Sequence, residues 1–286
     1  MRTQIDLLKE YGIAIRGNLG QHLLIDPNLQ RKTVELLNPV KGESVFEIGP
    51  GLGALTGQML ARGMRVTAVE KDARFVEVLK EVFAAEIEDG RLEIHHDDAL
   101  EADFEKILGR KPCKILSNLP YYITAPLLFK ICENRKLFTR GVFTMQLEVA
   151  DRIFAGPGSK DYGRLSLMMR LFADVAPGFD VSPRCFTPPP QVKSSVVVFD
   201  FHQRDDFDGL TAEEVSEFIK AAFSHRRKKL ISVLAQSTLG KTKEEWAAAF
   251  EKLGIDPGVR SEQLLLKDFL ALAAQVKAPK DGRRLD

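Results

Sequence analysis

The chain has 286 residues, 44% of them hydrophobic and 28% charged, which is the composition of a globular protein with room for one large and one smaller domain. Its formal net charge of +1 excludes attraction to nucleic acid by overall charge, so any such binding needs a local cluster of cations. Three widely separated cysteines without a CxxC pair, and no apolar run like a signal peptide or membrane span, predict a cytoplasmic protein without disulfides, a metal site or a membrane partner.

The N-terminal half shows strand and helix signals in alternation. Residues 3–10 have an amphipathic helical pattern, and Asp26-Pro27 has the order of an N-cap followed by proline at the first helical position, for a helix to about Leu37. The predicted strands that follow are residues 44–48, 65–69, 91–95, 114–117 and 141–146, and the predicted helices between and after them are 54–62, 72–83, 126–132 and 147–154. This alternation predicts a parallel, doubly wound α/β sheet that binds ligands at the carboxyl ends of its strands.

The C-terminal part is predicted to become purely helical. A glycine-rich loop leads to a helical stretch at 165–171, and strand-like segments at 172–181 and 194–202 flank a proline-rich loop, Pro183 to Pro190. Beyond a polar break at 205–209 the predicted helices are 211–223, 226–239, 242–253 and 261–275. We therefore predict two domains, residues 1–204 with the α/β sheet and residues 205–286 with helices only.

The segment from Phe46 to Gly53 predicts a nucleotide-type cofactor site. An apolar strand ends at Gly49, Gly51 and Gly53, and a helix-compatible stretch follows. Glycines in such a turn let backbone N–H groups approach a ligand without a Cβ in the way. The turn by itself fits a dinucleotide or S-adenosylmethionine equally well, and Glu70 is suited to the ribose hydroxyls of either.

Three details favour S-adenosylmethionine. Glu47 stands where a dinucleotide fold usually has an apolar residue, the third glycine is at position 53, and Asn118-Leu119-Pro120-Tyr121 follows the fourth strand. The exocyclic amine of adenine is a poor nucleophile because its lone pair is delocalised into the ring. The Asn118 side-chain oxygen and the Leu119 carbonyl can accept its two hydrogens, while Tyr121 offers a stacking face. The tetrapeptide therefore predicts methylation of an adenine amine.

Five motifs together carry a resemblance to a known family. They are Gly20-Gln21-His22-Leu23-Leu24, Glu47-Ile48-Gly49-Pro50-Gly51, Asn118-Leu119-Pro120-Tyr121, Tyr162-Gly163-Arg164-Leu165-Ser166 and Phe186-Thr187-Pro188-Pro189-Pro190-Gln191-Val192-Lys193-Ser194. In this order the chain resembles the KsgA-type ribosomal RNA adenine dimethyltransferases. The resemblance is dense over residues 16–200 and thinner in the helical tail.

The resemblance implies a Rossmann-like class I methyltransferase domain that uses S-adenosylmethionine, followed by a small helical domain that binds ribosomal RNA. The implied activity is dimethylation of N6 on two adjacent adenines near the 3′ end of small-subunit (16S) rRNA, in ribosome biogenesis. The implied partner is the small ribosomal subunit, and we expect the protein to be a monomer.

Site residues follow from the same resemblance. Those implied for the cofactor are His22, Leu24, Gly49, Gly51, Glu70, Asp98 and Asn118. Glu70 would take the ribose hydroxyls and Asp98 the adenine amine of the cofactor. Asn118 and the Leu119 carbonyl would hold the target amine, and Tyr121 and Phe186 would sandwich a flipped base. The chain departs from the family pattern at His22 and Leu23, where the family has Asn and Phe.

The densest cationic segment is His225-Arg226-Arg227-Lys228-Lys229, at the start of a predicted helix. A run of this kind is usually a solvated helix face, but the preceding Phe223 and the resemblance favour an RNA contact formed by Arg226, Arg227, Lys228 and Lys229. Three alternatives stay open: a large-subunit rRNA adenine methyltransferase of the macrolide-resistance type, a DNA adenine methyltransferase, and an assembly checkpoint factor that acts mainly by binding.

Overall fold

The structure, a computed structural model, describes residues 3–15, 21–204 and 206–277. Gly20 of the first motif and the residues after Lys277 lie outside the described residues. The chain divides into two compact units, Met1–Ala150 with Phe172–His202, and Asp151–Leu171 with Gln203–Asp286. The last passage of the chain from one unit to the other, after His202, lies close to the predicted boundary near residue 205. Asp151–Leu171, which the prediction gave to the first domain, belongs instead to the second unit. Among the described residues, no helix combines the length and apolar character needed to cross a bilayer.

The strands and helices mostly begin and end within three residues of their predicted positions. The strands are β1 Leu23–Leu24, β2 Ser44–Ile48, β3 Arg65–Glu70, β4 Leu92–His96, β5 Cys113–Asn118, β6 Phe138–Gln146, β7 Ala173–Val181, β8 Phe186–Thr187 and β9 Ser194–Phe201. The helices are α1 Gln4–Glu10, α2 Pro27–Glu35, α3 Ala54–Leu60, α4 Ala73–Val82, α5 Ala84–Glu88, α6 Phe104–Leu108, α7 Thr124–Glu133, α8 Leu147–Phe154, α9 Arg164–Phe172, α10 Ala212–Ala222, α11 Leu230–Ala235, α12 Lys243–Lys252 and α13 Leu266–Lys277.

Seven strands of the first unit form one sheet in the order β4-β3-β2-β5-β6-β9-β7. The strands from β4 to β6 pair in parallel, which confirms the doubly wound arrangement predicted from the alternation. Strands β9 and β7 extend the sheet in antiparallel pairing. Because β2 lies between β3 and β5, the strand order reverses there, and a crevice for a ligand is expected at the carboxyl ends of β2 and β5.

The central strands are buried on both faces, as parallel strands covered by helices usually are. Val45, Phe46 and Ile48 of β2 are at most 2% exposed, and so are Ile115 and Leu116 of β5. Helix α2 covers the sheet and is capped as predicted, since the Asp26 carboxylate accepts the Asn28 N–H at 2.8 Å.

The second unit is a helical assembly with an aromatic core. Phe218, Trp246, Phe250 and Phe269 are fully buried there. The buried Tyr162 donates its hydroxyl hydrogen to the Leu264 carbonyl at 2.9 Å, within the same unit. This contact explains why the segment around α9 belongs with the C-terminal helices.

One helix differs clearly from its prediction. The periodicity predicts a helix over 226–239, but α11 begins at Leu230 and ends at Ala235. Residues 223–227 form turns and residue 228 a bend, so the basic segment precedes the helix instead of starting it. Leu230 is fully buried whereas Arg226 to Lys229 are exposed, and a helix over the whole range would have had no apolar face at its first turn.

The close approach at Gly53 generates a prediction about stability. Gly53 has φ of 80° at the start of α3, and a Cβ there would lie 2.3 Å from Cε2 of Phe83. Left-handed backbone and overpacking together should lower the free energy of unfolding of Gly53→Ala by about 2–4 kcal/mol, measured by urea denaturation. Gly57→Ala is the matched control because its Cβ would lie at 3.6 Å from the same ring, inside the helix. It should be neutral or stabilising by about 0.5–1 kcal/mol, and equal losses in the two variants would contradict the role of Gly53.

Candidate functional site

The glycine turn after β2 has a left-handed backbone at each of its glycines. The φ angles of Gly49, Gly51 and Gly53 are 67°, 58° and 80°. A Cβ at Gly51 would lie 2.8 Å from Cδ2 of Leu23, whereas one at Gly49 would meet no atom within 4 Å. Gly49 therefore faces open space, and Gly51 is needed both for its conformation and for close packing against the N-terminal segment.

Glu70 at the end of β3 is 6% exposed and is bonded to the glycine turn. Its carboxylate accepts the Gly51 N–H at 3.0 Å and the Asp72 N–H at 2.9 Å. Burial raises the pKa of Glu70, and these two N–H groups act in the opposite direction. Each carboxylate oxygen can accept more than one hydrogen bond, so Glu70 keeps capacity for a ligand hydroxyl.

Glu47, near the end of β2, is bonded to the helix that follows the glycine turn. It is 1% exposed and accepts a hydrogen bond from the Thr56 hydroxyl in α3 at 2.6 Å. Burial raises the pKa of Glu47 to about 8, opposed by the Thr56 hydrogen bond and increased further by the nearby Glu70 charge. Glu47 therefore mainly holds its proton at neutral pH, and its contact links β2 to α3.

Asn118 at the end of β5 is held through its side-chain nitrogen. Nδ2 donates to the His22 carbonyl at 2.7 Å, which leaves Oδ1 as the acceptor atom of the amide. The Leu119 N–H is bonded to the Thr144 carbonyl at 2.9 Å. Within the described part of the chain, no hydrogen bond reaches the Leu119 carbonyl oxygen. The segment thus presents two acceptor oxygens from consecutive residues.

Tyr121 is half-buried beside this pair of oxygens. Its hydroxyl lies 2.5 Å from Oγ of the buried Ser194. Its ring centroid is 5.2 Å from that of His22, with the ring planes 31° apart. Burial raises the pKa of Tyr121, so its hydroxyl is neutral and serves as an anchor for the ring.

A cavity of about 510 Å³ joins these groups at the carboxyl ends of the strands. The sequence-predicted residues that line it are His22, Gly49, Gly51, Glu70, Asn118, Leu119 and Tyr121. It is also lined by residues that the sequence reasoning did not select, among them Gln21, Lys71, Asp72, Phe75 and Tyr122. Their only sequence signal was position, since each is close in the chain to a predicted site residue.

Three of the residues predicted for catalysis or cofactor binding lie outside this cavity. Leu24 is 3% exposed and Phe186 is 2% exposed, and they are paired with each other in the short β1–β8 sheet. Asp98 is bonded to the Lys71 ammonium at 2.6 Å, and this ion pair lowers the pKa of the Asp98 carboxyl. Because the Phe186 ring is buried in the core, the sandwich of a base between Tyr121 and Phe186 is not formed here and stays a prediction.

The basic segment lies in the second unit, in the turn between α10 and α11. Arg226, Arg227, Lys228 and Lys229 are all exposed. Arg226 donates to the Ser159 carbonyl at 3.3 Å, and Lys228 donates to the Gln236 side chain at 3.1 Å. Across the described ranges, none of the four cations is paired with a carboxylate. They therefore remain available to an anionic partner.

Comparison with known proteins gives consistent matches along most of the chain. A family model described as ribosomal RNA adenine dimethylase matches residues 12–277. Ribosomal RNA small subunit methyltransferase A of Pelotomaculum thermopropionicum is 38% identical over 278 residues, covering 94% of this chain and 93% of its own. The protein of that name from Aromatoleum aromaticum is 40% identical over 268 residues, covering 92% of this chain and 94% of its own.

Solved structures include two strong matches. A dimethyladenosine transferase from Plasmodium falciparum has a TM-score of 0.74 and 27% identity, covering 87% of this chain and 95% of its own. The 23S rRNA methyltransferase ErmE has a TM-score of 0.64 at 21% identity, covering 89% of this chain and 99% of its own, which is a likeness of fold alone.

The raised pKa of Glu47 predicts how stability varies with pH. Between its ordinary value of 4.5 and about 8, the folded protein keeps this proton and the unfolded chain releases it. Folding then takes up a proton, so this group's contribution to the free energy of unfolding is full below pH 4.5 and is lost as pH rises through about 8. Glu47→Gln removes that dependence, and its stability relative to the wild type should rise by up to about 1.4 kcal/mol per pH unit in this window.

Urea denaturation of both proteins across this pH window measures the difference. Glu77→Gln, which removes an exposed carboxyl on α4, should track the wild type at every pH. If the free energy of unfolding of Glu47→Gln changed with pH in parallel with that of the wild type, the assignment of a buried, protonated Glu47 would be contradicted.

Proposed function

Since the chain belongs to the ribosomal RNA adenine dimethylase family, we propose that it methylates N6 of two adjacent adenines near the 3′ end of small-subunit (16S) rRNA. The methyl donor is S-adenosylmethionine and the product is N6-dimethyladenine. Relatives at 38–40% identity carry the name ribosomal RNA small subunit methyltransferase A. The observation that carries the chemistry is the fixed pair of acceptor oxygens, Asn118 Oδ1 and the Leu119 carbonyl, at the edge of the cavity.

The residues present fit S-adenosylmethionine. The cavity of about 510 Å³ has the size of a small-molecule site, Gly49 leaves open space at the turn, and Glu70 is a buried carboxylate with acceptor capacity. Gly49 and Gly51 would hold the methionine end of the cofactor, and Glu70 its ribose hydroxyls. When bound, this cofactor supplies a methyl group attached to a sulfonium sulfur, and the rest of the cofactor is released as a neutral thioether.

Two of the residues implied for the cofactor, Leu24 and Asp98, do not line the cavity. Asp98 would accept a hydrogen bond from the adenine amine of the cofactor. This bond would replace the one that the Asp98 carboxylate accepts from the Lys71 ammonium. His22 lines the cavity, whereas Leu24 is buried behind it. Leu24 would therefore act through packing, and its carbonyl is already bonded to the Gln30 side chain at 2.7 Å.

The two acceptor oxygens would make the exocyclic amine of adenine a better nucleophile. Hydrogen bonds from its exocyclic amine to Asn118 Oδ1 and the Leu119 carbonyl would draw the nitrogen toward tetrahedral geometry, with its lone pair free to react. The new N–C bond forms as the C–S bond to the neutral thioether breaks, and the positively charged nitrogen that results releases one proton to solvent. No strongly basic side chain is therefore needed, and proximity with in-line orientation supplies most of the acceleration. Such a site holds a monomethylated amine with the one hydrogen that remains.

RNA binding is proposed to use two different surfaces. Removing an adenine from its stack costs a few kcal/mol, and stacking on Tyr121 would return about 1–3 kcal/mol. Phosphate contacts are assigned to Arg226, Arg227, Lys228 and Lys229, which carry no carboxylate partner within the described residues. Binding to an immature subunit as an assembly checkpoint is compatible with this activity, and a monomer suffices for both.

Asn118→Ala tests the acceptor chemistry. Loss of Oδ1 should lower the rate of methyl transfer at saturating cofactor by about 100-fold or more, the size of effect seen when one preorganised hydrogen-bonding group is removed from a reacting centre. Radiolabel transfer to unmethylated small subunits gives the rate, and calorimetry gives the cofactor affinity, which should change far less. Asn28→Ala, on the exposed surface of α2, is the control and should keep full activity. An Asn118→Ala enzyme of wild-type rate would rule out this mechanism.

Neutralising the basic turn tests the RNA contact. Replacing Arg226, Arg227 and Lys228 by alanine should weaken rRNA binding and reduce the slope of log affinity against log salt by about one for each phosphate that the protein no longer neutralises. A matched variant replaces three exposed lysines elsewhere in the second unit, Lys220, Lys243 and Lys252, and removes the same charge. Binding measured over a salt series should separate the two variants, and identical slopes would show that net charge alone matters.

A further inference from the structure

His22 lies where the N-terminal segment meets the proline-rich loop. It precedes β1, whose Leu23 is opposite Thr187 in the antiparallel β1–β8 pair. This register brings residue 22 beside Pro188, the residue that follows Thr187. The contact continues in the other direction, because the Ile25 N–H donates to the Cys185 carbonyl at 2.8 Å. The two segments are thus bonded together along their length, and His22 lies at the end nearest the cavity.

The imidazole of His22 makes two contacts of different kinds. Nδ1 lies 2.7 Å from the Pro188 carbonyl oxygen. A carbonyl only accepts, so Nδ1 carries the hydrogen, and in the neutral ring Nε2 is then the acceptor. The face of the ring packs at 5.2 Å from the Tyr121 ring, within the usual range for aromatic pairs. Both the hydrogen bond and the ring contact fix the side chain of residue 22.

The backbone of His22 acts on the reacting group. Its carbonyl accepts the Nδ2 hydrogen of Asn118 at 2.7 Å, and this bond selects the amide orientation that leaves Oδ1 free. A carbonyl can orient a partner only if its own peptide is fixed. The side chain and the carbonyl of His22 are both attached to its Cα atom. Anchoring the ring to Pro188 and Tyr121 therefore also restrains the peptide that carries this carbonyl.

We infer that His22 is a positioning residue, whose ring, anchored to Pro188 and Tyr121, holds its backbone carbonyl in place to orient the Asn118 amide. The inference rests on the proposed function, because the reaction that it serves is the one at Asn118. It assigns the ring of His22 to the protein's own loop instead of to the cofactor. An asparagine at this position would keep a donor but offer no ring to Tyr121.

The first test needs neither cofactor nor RNA. In protein with ¹⁵N-labelled histidine and asparagine, NMR should show a hydrogen on Nδ1 of His22. The Asn118 side-chain amide signals should shift in His22→Ala and not in His202→Ala, whose ring pairs with Asp174 at the opposite end of β9 from Ser194. Absence of a hydrogen on Nδ1, or unchanged Asn118 signals in His22→Ala, would overturn the inference.

The second test measures methyl transfer to small subunits. His22→Ala should lower kcat by about 10- to 100-fold through misplacement of the acceptor, with KM for the cofactor nearly unchanged. His22→Asn, which keeps a donor, should recover part of that loss, and His22→Phe, which keeps only a ring, should recover less. His202→Ala should retain the wild-type kcat.

Non-additivity separates positioning from a general structural defect. If His22 acts through Asn118, His22→Ala should cause no further loss in an Asn118→Ala background. If the two single-variant losses of kcat multiply in the double variant, the inference is contradicted. If even the wild type fails to methylate small subunits, the proposed function fails, while the NMR result still decides whether His22 orients Asn118.

Discussion

The parallel pairing of β2 with both β3 and β5 is the constraint on which the site depends. Ile48 lies opposite Val69 on one side and opposite Ser117 on the other. The next residue along each chain segment therefore lies at the same level, at the carboxyl edge of the sheet, and these residues are Gly49, Glu70 and Asn118. A one-residue slip in either pairing would turn these side chains to the other face and bury them among helices. The cofactor side and the acceptor side of the site are thus aligned by backbone hydrogen bonds, before any side chain contributes.

Two buried carboxyl groups beneath this edge have different roles because their partners differ. Glu47 accepts a hydrogen bond from a hydroxyl and holds its proton, so it connects β2 to α3 without placing a charge in the core. Glu70 accepts two backbone N–H groups, which favour its charged form against the effect of burial. Burial nevertheless has the larger effect and raises the pKa of Glu70 overall, so this residue, proposed to bind ribose hydroxyls, is distinguished from Glu47 by its bonds to the backbone of the glycine turn.

Much of the site could be predicted from the sequence because local signals coincide with sheet topology. Gly49 follows a strand with a strong apolar pattern, Glu70 and Asn118 each end another, and all three line the same cavity. The burial of Phe186 was not predictable, since it depends on a pairing of β1 with β8 that is only two residues long. The contact of the His22 carbonyl with Asn118 was equally hidden, because it joins a backbone group to a side chain 96 residues further along the chain. Likewise, the membership of α9 in the second unit depends on Tyr162 and its long-range hydrogen bond to Leu264.

The proposed reaction combines a donor held at the β2 turn with an acceptor amine held at the end of β5. It is tested most directly by incubating the protein with S-adenosylmethionine and either unmethylated small subunits or large subunits, followed by mass analysis of the nucleosides. We expect N6-dimethyladenine in the small-subunit RNA, at two adjacent positions near its 3′ end, and none in the large-subunit RNA. Its absence from small subunits, under conditions where a known dimethyltransferase modifies them, would contradict the assignment.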